Sequence, residues 1–132
     1  MVSDSAMSLQ GRRVFLVEDE PLLLMELADI VTEIGCEGVL IQGGLRGAIQ
    51  QARELPIDAA VLDINLAGEN VEPLADVLDS RGIPFIFATG YSQPLLSPKH
   101  LIRVRLEKPY RTGQLVAALI RCLHSAPNPE HA

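Results

Sequence analysis

Five polar residues end or follow short apolar runs, and their types belong together chemically. Asp63 closes Ala59-Ala60-Val61-Leu62, and Glu18-Asp19 follow Val14-Phe15-Leu16-Val17. Thr89 closes Ile83 to Ala88, and Lys108 lies just past the run Leu101 to Leu106. Clustered carboxylates raise one another's pKa unless a cation compensates. Mg²⁺ is such a cation, since it takes one or two carboxylates together with water and phosphate oxygens. A carboxylate can also act as a nucleophile and become an aspartyl-phosphate. Phosphoryl transfer then needs positioning and charge neutralisation, which a metal, an ammonium and a hydroxyl supply. Taken singly, each residue has a plainer reading. A strand-end Asp is a turn former or a helix N-cap, a lone Lys is a surface cation, and a lone Thr is a cap. The decision falls to whether the chain brings the five together.

The apolar runs have strand length and turn residues at their bounds. Between them lie helical patterns. Pro21 suits a first helical turn, Leu22 to Ile34 carries apolar residues at helical spacing, and Gly35 is a natural C-cap. Val39-Leu40-Ile41 reads as a second strand and Leu45 to Leu55 as a second helix. Val71 to Leu78 reads as a third helix, entered through Glu69-Asn70 and stopped near Gly82. Tyr91 to His100 holds two prolines and reads as a loop with at most a short helix. Thr112 is a plausible N-cap for a last helix over Gly113 to His124. Strand and helix alternate five times, which implies an α/β fold with a parallel sheet and helices on both faces. With right-handed crossovers, the expected arrangement is a flavodoxin-like (βα)5 doubly wound sheet of strand order 2-1-3-4-5. In that order the first, third, fourth and fifth strands are neighbours, so all five polar residues meet at one sheet edge.

The 132 residues are the size of one domain. The expected division is a flexible segment over 1–10, one domain over 11–125 and a flexible tail over 126–132. With 4% aromatic residues and no Trp, the core must be aliphatic. A formal net charge of -6 argues against nucleic-acid partners, which require a basic face, and against anionic lipid. No run approaches the roughly 20 apolar residues of a membrane span, and the start lacks a signal-peptide pattern. A cytoplasmic location is expected, with Cys36 and Cys122 as reduced, packed thiols. His100, His124 and His131 share no spacing and should face solvent. Arg103 and Arg105 alternate with apolar neighbours, as on an exposed edge strand.

Glu18-Asp19, Asp63, Thr89 and Lys108-Pro109, at these spacings over nearly the whole chain, resemble the receiver domain of bacterial two-component response regulators. Phe87-Ala88-Thr89-Gly90-Tyr91-Ser92 is similar to the FATGUY subgroup of stand-alone receivers of alphaproteobacteria. The resemblance implies a CheY-like fold and a role for each residue. Asp63 would accept a phosphoryl group from a sensor histidine kinase or a histidine phosphotransfer protein. Asp19 would hold Mg²⁺ directly, Glu18 through water and Asn65 by its backbone carbonyl. Lys108 would pair with Asp63 or its phosphate, and Thr89 would hydrogen-bond the phosphoryl group. Tyr91 would gate the switch, and the Lys108-Pro109 peptide would be cis. The implied protein is a non-enzymatic single-domain regulator, monomeric or weakly dimeric. It would signal to a downstream protein by phosphorylation-dependent binding or by phosphorelay. Three departures stand out: Glu18 where the family usually has Asp, Arg105 where it has an aromatic switch residue, and Leu66-Ala67 where it has Met-Pro. Other readings stay open: a phosphorylation-independent binding module, a receiver fragment of a hybrid kinase, or a Mg²⁺-dependent phosphohydrolase. Against the last, Asn65 occupies the place where many such enzymes have a second Asp.

Overall fold

The computed structural model describes residues 9–41, 44–66, 68–90 and 105–125. The elements are β1 (Arg13–Val17), α1 (Pro21–Glu33), β2 (Glu37–Leu40), α2 (Gly44–Glu54), β3 (Ala59–Asp63), β4 (Asn65–Leu66), β5 (Glu69–Asn70), α3 (Glu72–Ser80), β6 (Phe85–Thr89), β7 (Arg105–Glu107) and α4 (Thr112–Ser125). Five strands form one parallel sheet in the order β2-β1-β3-β6-β7. Counted along the main sheet this is the expected order 2-1-3-4-5. The remaining pair, β4 and β5, makes a small antiparallel hairpin.

The strands are apolar on both faces because helices cover both. Side chains alternate across a strand, and the core divides accordingly. Phe15, Val17, Ala60, Leu62, Phe85 and Phe87 pack with Ala48 and Ala52 of α2 and with Leu74, Ala75 and Leu78 of α3. Val14, Leu16, Ala59, Val61, Ile86 and Ala88 pack with Leu27 and Val31 of α1 and with Leu115 and Leu119 of α4. Every residue of β3 is buried, Asp63 included.

Two helices end alike. Gly35 (φ +94°) follows α1, with Gly35 N–H donating to Thr32 O and Cys36 N–H to Val31 O. Gly82 (φ +69°) follows α3, with Gly82 N–H donating to Asp79 O and Ile83 N–H to Leu78 O. Both are Schellman caps, which use a left-handed residue to satisfy the last carbonyls. α4 begins at Thr112 itself. The backbone N–H before it, that of Arg111, donates 2.7 Å to Gln114 Oε1, so the reach-back partner is Gln114 and Thr112 lies inside the helix.

The hairpin has no counterpart in the expected elements. Gly68, at φ +80°, lies between two strands of two residues each, and Asn70 Oδ1 then accepts from Glu72 N–H at the start of α3. The described chain also starts before the Gly11 boundary read from composition. Leu9 is 1% exposed, and its carbonyl accepts from Cys36 Sγ and from Arg12 N–H. The expected strand Leu101 to Leu106 is described from Arg105 on and extends to Glu107. The Tyr91–His100 segment, Arg103, His131, residues 1–8 and the 126–132 tail lie outside the described residues. Cys36 and Cys122 are buried and not joined in a disulfide, and Arg105 and His124 are exposed.

Candidate functional site

The register of the sheet brings the polar residues together. Val17 pairs with Leu62, Asp63 with Ala88, and Thr89 with Glu107. Glu18 therefore leaves β1 one step past Leu62, beside Asp63. Beyond the last ladder pair, Lys108 N–H donates 2.7 Å to Thr89 O, which holds Lys108 in line with the end of β6. The carboxyl ends of four parallel strands thus converge where ligands bind in open α/β sheets.

Glu18, Asp19 and Asp63 each offer a carboxylate oxygen within 4.8 Å of the others. Glu18 is 5% exposed and Asp63 6%, while Asp19 faces solvent. Lys108 Nζ lies 3.0 Å from Glu18 Oε1, 3.4 Å from Oε2 and 3.5 Å from Asp63 Oδ2. Burial is the first cause that raises the Glu18 carboxyl, to about 7; its hydrogen bond with Asp63 adds to this and Lys108 opposes it. With all three carboxyls ionised, the one ammonium leaves two negative charges, the amount that one divalent cation neutralises. The all-oxygen donor set is that of a hard cation such as Mg²⁺, so the residues present fit such an ion.

Thr89 is half-buried, and its Oγ1 donates a long 3.3 Å hydrogen bond to Gly90 O. Asn65 sits in β4 with its backbone paired to Asn70. The Lys108-Pro109 peptide is cis. Tyr91 lies outside the described residues.

Two features escaped sequence reasoning. The first is that the closest partner of Lys108 is Glu18, 90 positions away; no local signal could announce that. The second is Tyr110, which follows the cis proline. Its phenol is pushed up to about 12, first by burial and then by the charges of Glu18, Glu26 and Asp63. The Lys-Pro-Tyr adjacency was the available clue. Tyr110, Leu23, Leu27, Ile30 and Pro109 bound a cavity of about 280 Å³ that reaches the Glu18–Lys108 pair from the α1 side. Beside it α1 exposes Leu22 (74%), Leu23 (43%) and Met25 (62%).

No family model matches the chain. Among solved structures, the solution structure of SdrG from Sphingomonas melonis Fr1 is similar at a TM-score of 0.76 and 36% identity, over 89% of this chain and 99% of SdrG. A second solution structure, of the BeF3-activated conformation of SdrG, matches at 0.70. The crystal structure of the receiver domain of sensor histidine kinase PA1611 from Pseudomonas aeruginosa PAO1 has a magnesium ion coordinated in its active-site cleft. It matches at a TM-score of 0.71 over 87% of this chain and 99% of that one; at 22% identity the likeness is one of fold. Among curated proteins, the transcriptional regulatory protein PdtaR of Mycobacterium tuberculosis is 27% identical over 112 residues, or 82% of this chain and 55% of PdtaR. The chain thus spans about half the length of the curated relatives it matches.

Proposed function

Because the chain belongs to the receiver-domain family of response regulators, we propose that it accepts a phosphoryl group on Asp63 from a histidine kinase or histidine phosphotransfer protein. The observation that carries this reading is the triad of carboxylates within 4.8 Å with the Lys108 ammonium set between two of them. A strand-end carboxylate needs such a setting to act as a nucleophile toward phosphorus.

Asp63 Oδ attacks the phosphorus of a phosphohistidine. The new O–P bond forms as the N–P bond breaks, and the imidazole nitrogen keeps the electron pair. Asp19 and Asp63, with Glu18 and the Asn65 carbonyl, would hold a Mg²⁺ ion, which would supply charge neutralisation on the phosphoryl oxygens. Lys108 neutralises a further oxygen. Thr89 gives up its long bond to Gly90 O and donates to the phosphoryl group instead. The apolar stretch of α1 and the adjoining cavity suit the approach of the phosphodonor's helix. Tyr91, two positions after Thr89 in the sequence, gates the switch.

The phosphorylated protein then binds a downstream protein or passes the phosphoryl group on. It acts in the cytoplasm as a monomer or weak dimer, without nucleic acid and without turnover of small phosphate esters. Among the described residues no helix is long and apolar enough to cross a membrane.

The test is intact-mass analysis after incubation with acetyl phosphate and Mg²⁺. Wild type should gain one phosphoryl group and Asp63→Asn none. Equal labelling of both proteins would place the acceptor elsewhere. If neither labels even with phosphorylated kinase, while a downstream partner still binds, the protein is a phosphorylation-independent module.

A further inference from the structure

β2 is an outer strand of the sheet, so one of its sides is an open edge. The cores under α1 and α2 lie on opposite faces of that sheet, and both helices adjoin β2 in the chain. Their charges are segregated. α1 carries Glu26, Asp29 and Glu33 and no basic residue. α2 carries Arg46 and Arg53, which are exposed and make no ion pair among the described residues. Leu24 of α1 lines a groove with Ile41, Leu45, Ile49 and Arg53, which marks the side of α1 nearest β2 and α2. Leu23 and Glu26 line the cavity beside Tyr110, on the other side of α1. Leu22, Met25 and Asp29, all exposed, stand at i, i+3 and i+7 and form one outward stripe. Arg46, Ile49 and Arg53 repeat that spacing on α2. Val39 packs toward α2, so Leu40 points to the α1 face, where it is 40% exposed.

We propose that this face binds a second copy of the chain, about a two-fold axis that runs parallel to β2 just outside the edge. Such an axis turns the second copy over and sets α1 of each copy beside α2 of the other, so the contact is reciprocal and closed. It also leaves height along the strands unchanged. Leu16 of β1 is in register with Leu40 of β2. Pro21 opens α1 five residues after Leu16, and Gly44 opens α2 four residues after Leu40, so the two helices start at nearly the same height. Leu22, Met25 and Asp29 are the second, fifth and ninth residues of α1, and Arg46, Ile49 and Arg53 the third, sixth and tenth of α2. At 1.5 Å per residue the two stripes are offset by only about 1.5 Å. Met25 packs on Ile49 of the partner subunit, Asp29 pairs with Arg53 of the partner subunit, and Leu40 is covered near the axis. An axis perpendicular to the sheet would instead set α1 against α1 and α2 against α2, acid on acid and arginine on arginine, which repels. Leu23 and the cavity beside Tyr110 stay outside the contact. The dimer goes beyond the proposed function and does not rest on it.

The experiment is sedimentation equilibrium of the full chain at low ionic strength, where exposed charges are least screened. It compares wild type, Asp29→Arg, Arg53→Asp and the double variant, each checked for folding by circular dichroism. Wild type should be dimeric at about 1 mM, with a Kd in the micromolar range. Each single variant should self-associate at least about tenfold more weakly, because like charges then face each other at both contacts. An equimolar mixture of the two single variants should dimerise as wild type does, since each contact regains one acid and one base. The double variant should do so by itself for the same reason. A monomeric wild type, an undiminished single variant or an unrestored mixture overturns the inference, and growth beyond dimers overturns its two-fold arrangement. Should a charge variant fail to fold, Leu40→Lys decides. It places an unpaired charge in the contact and should weaken the dimer at least about tenfold; unchanged self-association overturns the inference. Labelling of Asp63 tests the proposed function separately, so either can fail while the other stands.

Discussion

At the scale of single residues, the site stores a buried carboxyl held in an unfavourable setting. Glu18 is raised from 4.5 to about 7, so between those values the folded chain binds a proton that the unfolded chain releases. Stability from this group is fully present below pH 4.5 and is lost as the pH rises through about 7. The urea midpoint of the metal-free protein should therefore fall between about pH 5 and pH 8, and Glu18→Gln should flatten that slope. A slope unchanged in Glu18→Gln would mean that another group carries it. Asp19 is the exposed member of the cluster and bears little on the fold. Asp19→Asn should leave the unfolding free energy within about 0.5 kcal/mol of wild type. On the proposed Mg²⁺ reading, wild type should gain in thermal midpoint with Mg²⁺ through binding to the native state, and Asp19→Asn should abolish that gain.

At the scale of elements, α2 and α3 are tied by one cation at the foot of the site-bearing layer. Arg81, just past α3, donates from Nη1 to Ala52 O at 2.6 Å and to Leu55 O at 2.7 Å. These carbonyls lie at the end of α2, where a cation also opposes the negative pole of the helix. Arg81→Ala should lower the unfolding free energy by about 1–2 kcal/mol, as for loss of a charge-assisted hydrogen bond at a half-exposed site. Arg46→Ala, on the exposed face of α2, should stay within about 0.5 kcal/mol. Equal losses in denaturant titrations would remove the capping role. Gly35 is a stricter case. Its φ of +94° is left-handed, and an added Cβ would clash with the Gln10 side chain. Gly35→Ala should cost about 1–2 kcal/mol from the backbone conformation alone. The sequence announced both glycine caps, since a glycine past an amphipathic run has few other uses. It did not announce Arg81, whose partners are 26 and 29 positions away.

At the scale of the whole molecule, one sheet serves as core and as scaffold. β3 is buried along its full length, and Leu62 is 0% exposed between Phe15, Leu74 and Phe87 in the same cluster. Leu62→Ala should destabilise by about 2–5 kcal/mol. Because Asp63 is the next residue, phosphoryl acceptance should fall as well, in proportion to the unfolded fraction. Loss of acceptance in a variant still fully folded by circular dichroism would instead place Leu62 in the geometry of the site.

The sequence by itself determined which residues could do chemistry, how strands and helices alternate, and so a parallel sheet whose carboxyl edge gathers Glu18, Asp19, Asp63, Thr89 and Lys108. Those features follow from local patterning: apolar runs of strand length, the alternation of faces, and turn residues at fixed offsets. Tertiary structure alone decided the distances. The Glu18–Lys108 bridge across two intervening strands, the depth of Tyr110 beside it, the anchoring of Leu9 by Cys36 and the capping of α2 by Arg81 join positions far apart in the chain. Each depends on where strand order, register and side-chain length bring the two ends, which no local pattern encodes.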